Sequence, residues 1–315
     1  MAVDVATGIR GAGGARRGRR AVRLSGRDRL TIGLMSGVPL LVVGGIIWFP
    51  TIASVLLSFT NWDGIGGITT AHWVGTQNYR EIATIYPPFW AAVKHNLIWL
   101  GFLAFIATPL GLLLAYQLDK NIRGTRIYQS IFFLPVVLSL AVIGFIWELI
   151  YSPTQGLLNN VFENPAHGHV TDWLGNPKLN LWAVLVAVTW RHAGYIMILY
   201  LAGLKALDPS LREAAAIDGA GEWHAFRTVV FPALKPINIV IIVVTVIEAL
   251  RAFDIVYIIN GGRNGLELLS VLVTDNIIGE ASRIGYGSAI AVILIVISIV
   301  PIVAFVWNTF SEKRA

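Results

Sequence analysis

The sequence predicts an all-α integral membrane protein with six transmembrane helices, on three observations. Of 315 residues, 56% are hydrophobic and only 13% charged, and the mean hydropathy is +0.68. A soluble domain averages about 25% charged residues, so this chain lacks the polar surface to cover a globule of its length. Uncharged stretches also recur at the length, about 20 residues, that a helix needs to cross a bilayer. Finally, Lys and Arg gather in alternate connections, as membrane topology demands. The absence of Cys excludes a disulfide scaffold, a thiolate metal site and a cysteine nucleophile.

The spans follow in order. Thr31 to Trp62, His95 to Leu118, Ile127 to Trp147 and Ile284 to Ser311 contain no Asp, Glu, Lys or Arg. Leu179 to Leu204 is interrupted only by Arg191, and Pro236 to Asn260 carries Glu248, Arg251 and Asp254 near its end. The predicted spans are Leu34–Phe59, Lys94–Leu118, Tyr128–Tyr151, Leu181–Leu204, Ile237–Ile259 and Gly287–Phe310. Lipid offers the backbone no hydrogen-bond partner, so each is a helix. Trp48, Trp62, Trp90, Trp147, Trp182 and Trp307 fall near span ends, where an indole suits the headgroup level or packs a neighbour.

Residues 1–30 form an Arg-rich arm with eight arginines from Arg10 to Arg29 and no apolar core of its own, expected to be disordered and to face lipid. The apolar stretch after it is too long for a signal peptide, whose core spans about 7–15 residues. Nucleic-acid binding is a poor fit for so apolar a chain. If the arm is cytoplasmic, so are the connections 119–127 and 205–236 and the tail 311–315. Together these hold 17 of the 24 Lys and Arg. Both termini are then expected on the cytoplasmic side.

Three connections are long. The outer segments Asn61–Val93 and Ser152–Asn180, rich in aromatics and in turn residues respectively, read either as docking surfaces or as lids on the bundle. The third, 205–236, predicts a helix–turn–helix knob. Ser210 and Glu213 have capping-box spacing, and Asp208-Pro209 offers a competing start. Ala214, Ala215 and Ala216 are strong helix formers. Gly219 stops the helix and Gly221 permits a sharp turn. Trp223, Phe226 and Val230 offer an apolar face to a second short helix, which Pro232 ends.

The series Glu213-Ala-Ala…Asp218-Gly219-Ala220…Phe226…Pro232…Pro236 resembles the EAA loop of binding-protein-dependent ABC importer permeases. Three further stretches resemble the same family: Arg123-Gly124…Phe132-Phe133-Leu134-Pro135, Trp190…Gly194-Tyr195…Leu201-Ala202-Gly203-Leu204, and Phe253-Asp254…Tyr257…Gly261-Gly262. The likeness covers roughly residues 92–310 and is specific to the sugar type, the maltose and glycerol-phosphate transporter permeases. It sets that core, with its coupling loop at 205–236, apart from a first helix and outer aromatic segment at 31–91. One departure is Arg263-Asn264-Gly265, where the family often has Pro. The resemblance implies a type I ABC importer permease bundle in a bacterial or archaeal inner membrane. Its loop would be the coupling helix seated on an ATP-binding subunit, with Glu213, Ala214, Ala215, Asp218, Gly219, Ala220 and Phe226 as coupling residues. Glu213 either pairs with a basic residue of the ATPase or merely caps its own helix.

No phosphate-binding loop G-x-x-x-x-G-K-[ST] occurs in the chain. The chain is therefore expected not to be an enzyme and to carry no cofactor or metal, ATP and Mg being bound by the partner ATPase. The other implied partners are a second permease and an extracytoplasmic solute-binding protein. Ionisable residues inside spans mark a translocation path. Arg191, His192 and Tyr195 share a helical face by spacing, and the resemblance implies that this helix lines a sugar site. Thr245, Glu248, Arg251 and Asp254 form a second stripe at i, i+3, i+6, i+9. The second stripe either binds a polyol or gates, or its charges simply pair along the helix. The two arginines also suit a phosphate, as in a glycerophosphodiester. The alternatives are a self-sufficient secondary transporter, for which inverted repeats are not evident, and a membrane enzyme, for which no nucleophile–base pair stands out.

Overall fold

The computed structural model describes residues 25–120, 122–162, 170–279 and 282–311. The Arg-rich arm up to residue 24 and the tail from 312 lie outside the described residues. Among the described residues the regular structure is helical, with one isolated bridge between Thr60 and Trp73. The chain divides into two compact units, up to Thr51 and from Ile52.

The first unit holds most of α1 (Gly26–Leu57), a helix carried through a wider turn at Gly44–Trp48. It starts inside the expected arm, because Ser25 and Asp28 close a capping box. Asp28 N–H donates to Ser25 Oγ at 3.3 Å, and Ser25 N–H donates to Asp28 Oδ2 at 2.9 Å. Leu34, Met35 and Leu41 are exposed, as suits an all-round apolar helix in lipid.

In the second unit, α2 (Gln77–Thr84) leads to α3 (Pro87–Asp119), which contains a wider turn at Leu103–Ala107. After α3 come α4 (Thr125–Val137), α5 (Leu140–Tyr151), α6 (Leu157–Phe162) and α7 (Asn180–Ala206). The third predicted span is thus not one helix. It bends by 101° between α4 and α5. Leu138 and Ser139 are extended, and Ser139 Oγ accepts the Val142 N–H to start a new helix.

The 205–236 connection carries α8 (Ser210–Ile217) and α9 (Glu222–Ala225). It is followed by α10 (Lys235–Leu250), α11 (Asp254–Asn260), α12 (Leu269–Ile277) and α13 (Ile284–Ser311). The fifth predicted span, Ile237–Ile259, is likewise split. α10 has 16 residues, about 24 Å at 1.5 Å per residue, short of the roughly 30 Å of hydrocarbon. The chain leaves the helix at Arg251, and Asp254 restarts it where an acidic side chain favours the N-terminal dipole. Among the described residues four helices are long and apolar enough to cross a membrane, and a fifth span is reached if the bent α4–α5 pair is taken as one. The six expected spans therefore become four whole helices, one bent pair and one short helix.

Close helix approach depends on small residues. A Cβ on Gly111 of α3 would lie 2.7 Å from Ile196 Cβ and 2.8 Å from the Ala193 carbonyl of α7. Gly194 of α7 lies equally tight against the Phe132 carbonyl of α4. The described parts of the two outer segments are held by hydrogen bonds and ring contacts. Asn78 Nδ2 donates to the carbonyls of Ser58 and Thr60, both at 2.8 Å, and Phe59 stacks on Trp73. Asn159 is buried, donating to the carbonyls of Pro153 and Thr171 while Trp173 Nε1 donates back to it.

Candidate functional site

The 205–236 loop folds as a knob, with details that correct the sequence reading. The competing start wins at α8. Asp208 Oδ1 accepts the Ser210 N–H at 2.9 Å, and the Asp208 carbonyl accepts the Leu211 N–H at 3.1 Å. Pro209, with no N–H to satisfy, sits at the helix start. The bond from the Ser210 amide holds the Asp208 carboxyl below its ordinary range. Ser210 and Glu213 form no capping box. Glu213 is exposed, and among the described residues its side chain makes no hydrogen bond or ion pair.

Gly219 ends α8 in the left-handed region at φ +78°. The Ala220 N–H returns to the Ala215 carbonyl at 3.0 Å, so the end carbonyls are satisfied. Gly221 makes no sharp turn. It is extended, at φ −62° and ψ 155°, and leads into α9. Pro232 does not end the second helix. A wider turn at Phe226–Val230 absorbs its missing N–H, and helix continues over Phe231–Ala233. Phe226 and Val230 are buried, but Trp223 is 66% exposed. The Phe226 ring lies 4.6 Å from that of Tyr116 on α3. Ala215 and Phe226 thus fasten the knob and Ala220 is half-buried, while Glu213, Ala214, Asp218 and Gly219 are exposed.

The second candidate region is a buried polar cluster between α3, α7 and α10. Glu248 Oε1 accepts from Arg191 Nη1 at 3.2 Å, and Glu248 Oε2 lies 2.7 Å from His192 Nδ1. His192 is fully buried. An ionised carboxylate only accepts, so Nδ1 carries the proton and Nε2 faces the hydroxyls of Thr108, at 3.2 Å, and Thr245, at 3.4 Å. Glu248 therefore pairs across helices to α7. The alternative pairs along the stripe, Glu248–Arg251 and Arg251–Asp254, are not formed among the described residues. Arg251 is exposed and lines a cavity of about 260 Å³ with Trp99, Arg191, Glu248 and Phe253. Tyr195, one turn further along α7, is half-buried against the apolar cluster of Ile196, Met197 and Leu234.

Sequence reading missed Thr108, Trp99, Asp119 and Lys120. Thr108 carried a signal, being a hydroxyl followed by Pro109 inside an uncharged span. Trp99 carried none, since a Trp in an apolar stretch is ordinarily packing. Two donors near the cavity, Trp99 Nε1 and Arg191 Nε, are buried without a protein partner. Among the described residues no three His, Asp or Glu side chains converge to hold a metal ion.

Comparison with known proteins gives a consistent picture. Residues 107–315 match the family of binding-protein-dependent transport system inner membrane components. A probable ABC transporter permease of Pyrococcus horikoshii is 30% identical over 87% of this chain and 94% of its own length. The xylose/arabinose import permease XacH of Haloferax volcanii is 30% identical over 88% of this chain and 87% of its own. The trehalose/maltose transport system permease MalF of Thermococcus litoralis is 31% identical over 71% and 75%. Among solved structures, a bacterial ABC transporter involved in import of the acidic polysaccharide alginate shares the fold, with TM-score 0.76 over 91% of this chain and 96% of that one, at 20% identity. From its apolar helices, its knob at 205–236 and these matches, the chain belongs to the inner membrane components of binding-protein-dependent transport systems and is a multi-pass permease of the ABC importer type.

Proposed function

We propose that this permease imports a carbohydrate-like solute, an oligosaccharide or disaccharide, delivered by an extracytoplasmic solute-binding protein. In this reading a second, similar permease completes the pore, an ATPase dimer binds ATP and Mg, and both termini are cytoplasmic. Glu213, Ala214, Asp218 and Gly219 form the face offered to the ATPase, while Ala215, Ala220 and Phe226 hold that face in shape.

The observation that carries the substrate class is the cavity beside Glu248. It sets the half-buried Phe253 ring and the exposed Arg251 guanidinium beside a carboxylate already satisfied by Arg191 and His192. Sugars present C–H faces to aromatic rings and hydroxyl lone pairs to guanidinium donors. The names of XacH and MalF, import permeases for xylose/arabinose and for trehalose/maltose, support the same class. Arg251, without an ion pair among the described residues, favours a second reading in which a phosphorylated polyol meets Arg251 and Arg191 bidentately.

The test is to purify the chain from its native membranes in mild detergent with the subunits that accompany it. Maltose, trehalose, xylose and glycerophosphocholine are then assayed for stimulation of ATP hydrolysis in the presence of the solute-binding protein. Stimulation by a neutral sugar, reduced by Phe253→Ala, supports the first reading. Stimulation by glycerophosphocholine alone selects the second, and recovery without an ATPase defeats the assembly.

A further inference from the structure

The loop at 205–236 is joined covalently to α7 and α10, the helices that carry Arg191, His192, Thr245 and Glu248. The cluster has a further member on α3, Thr108, which no chain connection ties to the loop. Yet the last turn of α3 grips the loop on both limbs. Asp119 Oδ2 lies 2.7 Å from Arg212 Nη1 of α8, and Asp119 is only 10% exposed. Lys120 Nζ lies 2.9 Å from Glu222 Oε1 of α9 and 4.6 Å above the Tyr116 ring. Tyr116 itself packs on Phe226. Positions 116, 119 and 120 share one helical face by i, i+3, i+4 spacing.

We infer that Asp119 and Arg212 are positioning residues that lock α3 to the coupling loop, so that loop displacement carries Thr108 in step with His192 and Thr245. Thr108 stands eleven residues above Asp119, about 16 Å along the helix. Were α3 free to lag, the Thr108 contacts of 3.2 Å to His192 and 3.4 Å to Thr245 would break one at a time. With α3 tied at its end, the cluster rearranges as one two-state element, which is the physical requirement for coupling between distant sites. The inference rests on the reading of 205–236 as the loop that meets the ATPase.

The chain has no Cys, so a single engineered thiol is a clean reporter. Ala252→Cys, on the cavity wall, is placed in the chain assembled with its ATPase. Its modification rate by a cationic methanethiosulfonate is measured with and without MgATP, together with the amount of ATPase recovered. The native pair is expected to change the rate by about fivefold or more on adding MgATP. Arg212→Gln, at a half-exposed position that folding tolerates, and Asp119→Asn are expected to retain the ATPase and reduce that response below about twofold. The exchanged pair, Asp119→Arg with Arg212→Asp, is expected to restore it. A full response in Arg212→Gln, or no recovery in the exchanged pair, overturns the inference. Absence of any response in the native pair also overturns it, and ATPase recovery then tells whether the coupling-loop reading falls too.

Discussion

Replacing Glu248 tests whether the cluster between α7 and α10 is held by charge pairing across helices. At 3.2 Å the Arg191–Glu248 attraction is about 5 kcal/mol at an effective dielectric of about 20. Desolvation of two side chains only 23% and 28% exposed offsets most of that. The cost of breaking the pair therefore comes chiefly from what is left behind. Glu248→Gln turns an amide nitrogen toward Arg191, or else toward His192 Nδ1–H, and one donor loses its acceptor. That change is expected to cost about 3 kcal/mol. Arg191→Met leaves the carboxylate with His192 alone and costs about 2 kcal/mol.

The double variant behaves differently, because the Gln carbonyl accepts from His192 and no guanidinium remains to oppose the amide. Its loss is expected near 2 kcal/mol, which leaves a coupling energy of about 3 kcal/mol, at the upper end for contacting residues. Thermal unfolding in dodecylmaltoside, followed by retention of the helical signal, reads the cycle. At about 2–4 °C per kcal/mol, Glu248→Gln should lower the midpoint by about 9 °C. A coupling energy below about 0.5 kcal/mol would refute the pairing argument, since the side chains would then contribute independently.

Gly111→Val should push α3 off α7 at Ile196 and Ala193, costing about 1–3 kcal/mol by overpacking and lowering the unfolding midpoint in the same assay. Gly219→Ala forces a Cβ onto φ +78°; it should cost about 1 kcal/mol and speed amide exchange in α8 without changing α7. Asp208, held below its ordinary range by the Ser210 amide, stabilises the α8 start above the unfolded aspartate value. That contribution is lost as pH falls through the lower folded value, so exchange in α8 should accelerate below about pH 4. Asp208→Asn, which retains an acceptor, should abolish that acid step and leave neutral-pH exchange unchanged.

Much of the fold was legible because lipid imposes one rule on long apolar segments. The helices observed as Pro87–Asp119, Asn180–Ala206 and Ile284–Ser311 contain the spans read from uncharged runs. The breaks were not legible in the same way. Ser139 and Arg251 sit in segments whose average hydropathy passes for a span, and averaging hides a single cap or a single charge. In the loop, Gly219 was readable because a left-handed helix end requires glycine. The choice of Asp208 over Ser210 was not, because both starts satisfy the same local rule.

What the sequence by itself determined is the class of the molecule, the places where helices run and the knob at 205–236. Charge deficit, span length and helix-end chemistry are properties of short stretches, and they survive without knowledge of neighbours. Only the tertiary structure decided which polar groups meet. Arg191, His192 and Glu248 converge from α7 and α10, Thr108 joins them from α3, and Tyr195 turns to a different apolar cluster. Helical spacing alone ties Glu248 to Arg251 on its own helix. The neighbouring helix wins because its buried His192, which has no water to turn to, needs that carboxylate more than an exposed arginine does.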